Sequence, residues 1–198
     1  MIMDAIYKKL AVVGEVGAGK TELIKVISEI SPFATEEKSS VDIGKEYTTV
    51  GIDYGRLTLG SDVALGLYGL PGQKRFAMLW DMVKNGLWGL LVLVKYGETI
   101  KIDQIEELIS HFDPASRNLP VVIGVSHSEN ANDEALDSLV EHIQNVLINY
   151  QLIAPVIPVD PRNIESNLML LELFLSLSTQ EDEVDEDYNE LQGLEFRV

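Results

Sequence analysis

The chain has 198 residues, 46% of them hydrophobic and 24% charged, which is typical of a globular protein that can bury a core without disulfides. It contains no cysteine, which excludes disulfides, cysteine metal sites and cysteine lipid anchors. A formal net charge of −17 argues against nucleic acid and anionic membranes as primary partners. No apolar run approaches the length of a membrane span and no signal peptide is recognisable, so we expect a cytoplasmic protein without a membrane anchor.

The first predicted element is a strand, Leu10 to Val13, which runs into a glycine-rich segment and then a helix. The segment is Gly14-Glu15-Val16-Gly17-Ala18-Gly19-Lys20-Thr21, which matches the phosphate-binding loop pattern G-x-x-x-x-G-K-[ST]. Its glycines allow the main chain to curl so tightly that several N–H groups surround one phosphate. The helix that follows has four apolar residues on one face and ends at Ser31-Pro32; they are Leu23, Val26, Ile27 and Ile30.

The chemistry of this loop gives a role to two side chains. Lys20 would reach the β- and γ-phosphates of a nucleotide, and the hydroxyl of Thr21 would hold Mg²⁺. The N-terminus of the helix adds partial positive charge at the same place. We favour a nucleotide site over a chance match, because strand, loop and helix occur in the order that phosphate binding requires.

Beyond this helix the pattern predicts a polar loop and then strands alternating with helices. The loop covers 31–47, a hairpin turns at Gly60-Ser61, strands follow over 87–94, 121–125 and 156–159, and helices cover 73–84, 101–112, a stretch from Asn132 or Asp133 onward, and 164–177. This order predicts an α/β fold with a mixed, mostly parallel six-stranded sheet and helices on both faces. Ligands bind at the carboxyl ends of such strands, where the loops 14–21, 69–73, 126–129 and 160–162 would meet.

The sequence predicts one domain over 1–179 and an acidic tail over 180–198. Eight carboxylates lie between Glu181 and Glu195, followed by a single basic residue, Arg197. This charge density predicts a solvated, disordered tail. The apolar residues Leu191, Leu194 and Phe196 leave open the alternative that the tail docks on a partner.

Two further segments resemble those of the Ras-like small GTPases. Residues 67–76, Leu-Tyr-Gly-Leu-Pro-Gly-Gln-Lys-Arg-Phe, resemble the D-x-x-G-Q-E-R-F segment of Ras and Rab GTPases, and residues 48–53, Thr-Thr-Val-Gly-Ile-Asp, resemble their T-I-G-V-D-F segment. Within this superfamily the chain most resembles the bacterial and archaeal MglA-type branch, whose second switch reads T-x-P-G-Q. The resemblance spans residues 7–178 and implies a three-layer P-loop NTPase fold.

The resemblance also implies a GTP-binding protein that alternates between GTP- and GDP-bound states. Thr49 would complete the Mg²⁺ shell together with Thr21, with Thr48 as the alternative for Thr49. Gly72 would donate its N–H to the γ-phosphate, and Gln73 would orient the attacking water while Lys20 holds the phosphates. Switch segments 49–53 and 69–76 would contact effector and activating proteins, the activator being typically a roadblock-fold homodimer in the MglA branch.

The segment Ser126-His127-Ser128-Glu129 corresponds to the N-K-x-D motif with which the family reads the base. A carboxylate that accepts two N–H bonds selects guanine, because adenine lacks that pair of donors. Glu129 can do this although it is one methylene longer than Asp, whereas Ser126 is a poorer bridge than Asn and His127 could lie over the base. Asp160-Pro161-Arg162 correspond to the S-A-K loop that backs the base. The alternative is that 126–130 is an ordinary polar loop.

Two departures from the family pattern bear on hydrolysis. Gly69 replaces the Asp that normally holds a Mg²⁺-bound water, as it is also replaced in MglA-type proteins, which predicts weaker Mg²⁺ binding. Val16 replaces a small residue near the γ-phosphate and is expected to crowd Gln73, which predicts slow intrinsic GTP hydrolysis. The leading hypothesis is a regulatory GTPase; the alternatives are a nucleotide-binding scaffold without useful hydrolysis and, disfavoured by the lack of an arginine-rich lid, a small kinase or ATPase.

Overall fold

A seven-stranded sheet forms the centre of the computed structural model, which describes residues 6–34, 51–60, 63–97 and 101–178. The strands are β1 (Ile6–Gly14), β2 (Phe33–Ala34), β3 (Asp53–Leu59), β4 (Val63–Pro71), β5 (Gly89–Lys95), β6 (Val121–Ser126) and β7 (Val156–Pro158). Their order across the sheet is β2-β3-β4-β1-β5-β6-β7. The two pairs that involve β3 are antiparallel and the other four pairs are parallel. The central position of β1 places the loop that follows it in the middle of the carboxyl edge.

Five helices cover the sheet over the described residues. They are α1 (Lys20–Ile27), α2 (Ala77–Lys84), α3 (Ile102–Phe112), α4 (Asp133–Asn149) and α5 (164–178), with 3₁₀ turns at Lys74–Phe76 and Ala115–Arg117. The N-terminus of α4 is capped by Asn132, whose side-chain oxygen accepts a hydrogen bond from the Ala135 N–H at 2.7 Å. Each of these helices is too short or too polar to cross a lipid bilayer.

Alternation along β1 divides the core between the two faces of the sheet. Ala11 and Val13 pack on the face covered by α2, α3 and α4, whereas Leu10 and Val12 pack on the face covered by α1 and α5. Both sets are fully buried, as expected for a parallel strand covered on both sides. The result is a three-layer arrangement of helices, sheet and helices.

The predicted α/β fold with a mixed, mostly parallel sheet is confirmed, and β7 lies at an edge as the prolines around it predict. The six predicted strands are present, and the two-residue strand β2, inside the stretch predicted as a loop, adds a seventh. The predicted boundary at 179–180 falls where the described residues end and stays a prediction.

The first helix is shorter than the apolar pattern predicts. It ends at Ile27 because Ser28 has an extended backbone, with ψ at 133°, so Ile30 lies outside the helix. The Ser28 hydroxyl accepts a hydrogen bond from the Arg56 N–H at 3.1 Å and donates one to the Ile30 carbonyl at 2.7 Å. This contact with β3 competes with helix continuation, which the spacing of apolar residues cannot reveal.

Candidate functional site

The glycine-rich loop connects the end of β1 to the start of α1 at the carboxyl edge of the sheet. Gly19, immediately before α1, has a φ of +98°, in the left-handed region that side chains disfavour. A Cβ at this position would also lie 2.5 Å from Cγ of Pro161, so the loop needs glycine there for two independent reasons. Ala18 is fully buried, and its N–H donates to the Glu15 carbonyl at 3.3 Å, which closes a turn within the loop.

Lys20 is folded back onto the loop that precedes it. Its ammonium donates a hydrogen bond to the Glu15 carbonyl at 2.8 Å. Burial lowers the pKa of Lys20, and the nearby carboxylates of Asp53 and Glu15 partly oppose that change. Glu15 is itself paired with Lys101, Oε2 to Nζ, at 3.3 Å. A partly desolvated ammonium at the mouth of a glycine loop is well placed to exchange a carbonyl oxygen for phosphate oxygens.

The structure adds a carboxylate, Asp53, that the motifs do not assign to the site. Oδ2 of Asp53 accepts a hydrogen bond from the Thr21 hydroxyl at 2.5 Å. Asp53 is the cross-strand partner of Gly69, so the two residues share one face of the β3–β4 pair. A Cβ at position 69 would lie 3.0 Å from Cβ of Asp53 and 2.8 Å from Cδ1 of Ile24. A side chain at 69 therefore has no room beside Asp53, and this juxtaposition depends on the register of the β3–β4 pair, which the predicted turn at Gly60-Ser61 does not give.

Gly72 ties the end of β4 to the phosphate-binding loop. Its N–H donates to the Gly14 carbonyl at 2.8 Å, and a Cβ at 72 would lie 2.8 Å from the Gly14 carbonyl carbon. Only a residue without a side chain allows the two backbones to approach this closely. Gln73 follows with an extended backbone and is half-buried, whereas Val16, the residue expected to crowd it, is 70% exposed on the loop.

The loop after β6 lies across from the glycine loop. His127 has a φ of +59°, and its Nε2 lies 3.0 Å from the Gly17 carbonyl oxygen. Ser126 is fully buried, and its hydroxyl donates to the Val94 carbonyl at 3.4 Å, toward the neighbouring strand and not toward the loop. His127 therefore joins the predicted site, while the Ser126 side chain belongs to the sheet.

The residues predicted to face the base form a cluster of charges. Arg162 donates from Nε to Oδ1 of Asp160 at 2.8 Å and from Nη2 to Oδ2 at 3.0 Å, while the same Nη2 donates to Oε1 of Glu129 at 2.6 Å. These hydrogen bonds hold the pKa of Asp160 below its usual value and raise the pKa of Arg162. Glu129, the carboxylate predicted to bind guanine, thus already accepts a hydrogen bond from the Arg162 guanidinium.

The start of α5 holds the loop that carries Arg162. Asn167, which is 1% exposed, donates from Nδ2 to the Pro161 carbonyl at 2.9 Å. The Asp160 N–H donates to the Ser166 hydroxyl at 3.0 Å. Neither Asn167 nor Ser166 carries a motif signature, because their role depends on how the start of the helix folds back over the loop.

A cavity of about 430 Å³ separates the two groups of loops. It is lined by both predicted and unpredicted residues, namely Gly17, Gly19, Lys20, Thr21, Glu22, His127, Glu129, Asp160, Pro161 and Arg162. Six residues predicted for nucleotide binding lie near this cavity but do not line it: Gly14, Glu15, Val16, Ala18, Gly72 and Ser126. The volume lies within the range of ligand pockets, and charged side chains converge on it from both sides.

The predicted Mg²⁺ site and the first switch segment are only partly described by the structure. Thr49, with its alternative Thr48, lies outside the described residues, as does Val50 in the segment 49–53. Within the described ranges there is no group of three or more His, Asp or Glu side chains arranged for a metal ion. The Thr21 hydroxyl and the Asp53 carboxylate, 2.5 Å apart, are nevertheless oxygen donors of the kind that Mg²⁺ prefers.

The backbone is similar to solved structures of nucleotide-binding domains. It matches translation elongation factor SelB from Methanococcus maripaludis, in complex with the GTP analogue GppNHp, with a TM-score of 0.65 and 19% identity over 89% of this chain and 35% of that one. It matches the small GTPase Arl6 (BBS3) from Trypanosoma brucei with a TM-score of 0.62 and 15% identity over 89% of this chain and 98% of that one. The backbone therefore has the α/β fold of P-loop NTPases.

A third match and the sequence searches limit what can be concluded about function from this fold. The G domain of the T. maritima iron transporter FeoB matches with a TM-score of 0.55 and 16% identity over 87% of this chain and 99% of that domain. The chain spans about a third of the length of SelB, 35%. The sequence matches no protein-family model and no curated protein. The likeness is therefore one of backbone architecture, and the function must be argued from the site.

Proposed function

We propose that this chain is a small GTP-binding protein that alternates between GTP- and GDP-bound states and hydrolyses GTP slowly. The observation that carries the proposal is the cavity between Lys20 and Thr21 on one side and His127 and Glu129 on the other. A glycine loop with its lysine suits the polyphosphate, and a carboxylate across the cavity suits the guanine N–H donors. The P-loop GTPase fold of the backbone supports the same assignment.

Mg²⁺ fits the proposed site through oxygen donors. The Thr21 hydroxyl would hold the ion, and the Asp53 carboxylate would accept hydrogen bonds from groups around the ion. Thr49 is the further predicted ligand. When bound, Mg²⁺ neutralises charge on the phosphates. Because Asp53 supplies a carboxylate where Gly69 lacks one, we propose that Mg²⁺ binding does not depend on a side chain at position 69.

We further propose that the bond between Gly72 and Gly14 reports the state of the switch. In this structure the Gly72 N–H is directed to the Gly14 carbonyl, 2.8 Å away. To bond the γ-phosphate, the Gly72 N–H would have to leave Gly14, and the segment 69–76 would move with it. That segment and 49–53 would be the surface read by effector and activating proteins, a roadblock-fold homodimer being the activator that the MglA resemblance implies.

Binding of labelled nucleotides to the nucleotide-free chain tests the proposal. We expect GTP and GDP to bind in the presence of Mg²⁺ more tightly than ATP. Lys20→Ala should weaken binding by about 2–5 kcal/mol, because the phosphates lose a partly buried charged partner. Lys25→Ala is the matched control, since Lys25 lies on the same helix, is 66% exposed and pairs with Glu22 at 3.9 Å. Unchanged affinity in Lys20→Ala would show that the cavity is not the phosphate site.

A second candidate is a nucleotide holder that hydrolyses nothing useful. It is favoured by the engagement in this structure of two groups proposed to bind nucleotide, the Gly72 N–H with Gly14 and the Glu129 carboxylate with Arg162. Phosphate release from GTP, measured with and without a candidate activator, separates the two functions. The proposed GTPase should show an unassisted rate on the order of 10⁻⁴ s⁻¹ or below, accelerated by the activator.

Val16→Gly tests whether the loop side chain limits that rate. A branched side chain at this position is expected to crowd Gln73 and the attacking water, so its removal should accelerate phosphate release. Val26→Ala, on the following helix and away from the loop, is the control for an unspecific effect of losing apolar volume. An unchanged rate in Val16→Gly would place the barrier elsewhere in the site.

A further inference from the structure

The protein has a second cavity, of about 360 Å³, at the other end of the sheet. We call it the basic pocket; its lining is Lys8, Lys84, Gly86, Leu87, Trp88, Arg117, Asn118, Leu119, Pro120 and Ser178. Lys8 lies near the start of β1, Trp88 precedes β5 and Pro120 precedes β6. These positions are at the amino ends of the parallel strands, whereas the nucleotide cavity lies at their carboxyl ends.

The charge of the basic pocket is opposite to that of the chain. Three of its lining residues, Lys8, Lys84 and Arg117, are cationic and none is acidic, although the chain has 32 acidic residues against 15 basic ones. The Lys84 ammonium donates to the His111 carbonyl, and Nη1 of Arg117 donates to the Lys84 carbonyl at 3.0 Å. Across the described ranges, these three cations form no ion pair with a carboxylate. Their charge is therefore available to an anion.

Trp88 provides a second indication of a missing ligand. The Lys8 ammonium lies 5.0 Å from the centroid of the Trp88 ring. The indole N–H of Trp88 is buried and has no hydrogen-bond acceptor within the part of the chain that the structure describes. Leaving such a donor unpaired costs free energy, so the surroundings of Trp88 are incomplete in the described part of the chain.

The chain continues from the rim of this pocket into an acidic segment. Ser178, the last described residue of α5, lines the pocket. Six carboxylates follow within nine residues: Glu181, Asp182, Glu183, Asp185, Glu186 and Asp187. An extended chain covers about 3.3–3.6 Å per residue, so Glu181 can reach about 10 Å from Ser178 and Asp187 about 30 Å. The tether also keeps the local concentration of these carboxylates on the order of millimolar or above.

We propose that the acidic segment 181–187 docks on the basic pocket of its own chain. Its carboxylates bind Lys8, Lys84 and Arg117, which neutralises three cations that have no carboxylate partner in the described structure. Docking at the amino ends of the strands does not compete with nucleotide at the carboxyl ends. The inference therefore goes beyond the proposed function and does not depend on it.

Zero-length carbodiimide cross-linking of the full-length chain at low salt, followed by mass spectrometry, tests this contact. We expect amide bonds between carboxylates of 181–187 and the amines of Lys8 or Lys84, within monomers. High salt should suppress these cross-links, because the Debye length falls to about 3 Å in 1 M salt and exposed charge pairs are then screened. Tail cross-links confined to Lys25 on α1, or found only between two chains, would overturn the proposal.

The side-chain N–H resonances of the two tryptophans provide an independent readout. The Trp80 N–H donates to the Pro71 carbonyl at 2.8 Å and serves as the internal reference. Replacing the six carboxylates of 181–187 by their amides should shift the Trp88 resonance, as should Arg117→Gln, whereas Lys25→Gln should leave it unmoved. A free 181–187 peptide should restore the Trp88 position in the amide variant.

Two outcomes of the resonance experiment would contradict the proposal. If the Trp88 resonance does not shift when the carboxylates are replaced by amides, the tail does not occupy the pocket. If inorganic phosphate but not the peptide restores the position of the Trp88 resonance, the pocket binds small anions and not the tail. Nucleotide affinity should be equal in the parent chain and the amide variant, so this result is separate from the test of the proposed function.

Discussion

Asp53 and Gly69 lie opposite each other on neighbouring strands, beside the proposed Mg²⁺ site. The two are cross-strand partners, and the Asp53 carboxylate accepts a hydrogen bond from the Thr21 hydroxyl at 2.5 Å. A side chain at 69 would collide with Asp53 and Ile24. Although position 69 has no acidic side chain, the Asp53 carboxylate lies beside the Thr21 hydroxyl, which is proposed to hold Mg²⁺.

Asp53→Asn tests this role at the residue scale. The amide keeps the shape of the side chain but removes its charge, so we expect about 10- to 100-fold weaker Mg²⁺-dependent retention of nucleotide, as for partners of metal ligands. The measurement is the release rate of labelled GDP over a range of free Mg²⁺. Asp103→Asn, exposed on α3, is the control. Equal release rates in Asp53→Asn and the parent chain at every Mg²⁺ concentration would contradict the assignment.

Glu129→Gln tests base recognition. Glu129 is the carboxylate of the 126–129 loop that lines the cavity, and Gln cannot accept two N–H bonds from guanine. We expect the ratio of GTP to ATP affinity to fall at least about tenfold, since each mispaired polar group costs about 1–3 kcal/mol. Competition binding with both nucleotides measures the ratio, and Glu134→Gln on the exposed first turn of α4 is the control. An unchanged ratio would mean that the base is read by other groups.

At the scale of elements, the central feature is the contact between the end of β4 and the loop after β1. The two strands pair in parallel over nine positions, ending with Gly14 opposite Pro71. The next residue, Gly72, bonds back to Gly14, so any movement of the 69–76 segment begins at a backbone contact with the phosphate-binding loop. A switch built in this way needs no long-range connection between phosphate and segment, because the two elements touch.

Gly72→Ala should disturb this junction. The new Cβ would lie 2.8 Å from a backbone carbon that has no freedom to move away, and overpacking of this kind costs about 1–3 kcal/mol. For a protein of this size we expect the melting temperature to fall by about 2–4 °C per kcal/mol. Gly97→Ala is the matched control, because a Cβ there would have no neighbour within 4 Å. If the two variants melt together, the Gly72–Gly14 approach is not constrained as described.

At the scale of the whole molecule, the sheet separates two sites of different chemistry. The carboxyl ends of the strands carry the cavity of about 430 Å³ between the glycine loop and Arg162, and the amino ends carry the basic pocket of about 360 Å³. Two separate apolar clusters, one on each face, hold the strands that connect these ends. Ligands at the two ends can therefore bind independently unless the strands between them shift.

Removal of the nucleotide should lower the stability of the whole domain. The cavity of the proposed ligand is lined by the loops that follow β1, β6 and β7, so the ligand should stabilise the fold and not one segment. At a concentration 1,000 times the dissociation constant, linkage contributes about 4 kcal/mol, and about 2–4 °C per kcal/mol predicts a rise in melting temperature of about 8–16 °C. GDP with Mg²⁺ should produce this rise in a thermal melt, and excess chelator should reverse part of it. Equal rises in the parent chain and Lys20→Ala would contradict binding at the glycine loop.

The sequence was enough to predict most of the helices and strands and the glycine loop, because apolar periodicity and the spacing of Gly14, Gly19, Lys20 and Thr21 are local properties. It also placed His127, Glu129 and Asp160–Arg162 at the edge where they lie. The hydrogen-bond and cross-strand partners of these residues follow from the tertiary fold. A two-residue turn at Gly60-Ser61 would put Asp53 opposite Tyr68, whereas the observed register, with Leu59 opposite Val63, puts it opposite Gly69. The bonds from Arg162 to Glu129 and from Gly72 to Gly14 likewise join residues distant in sequence, and no local pattern encodes them.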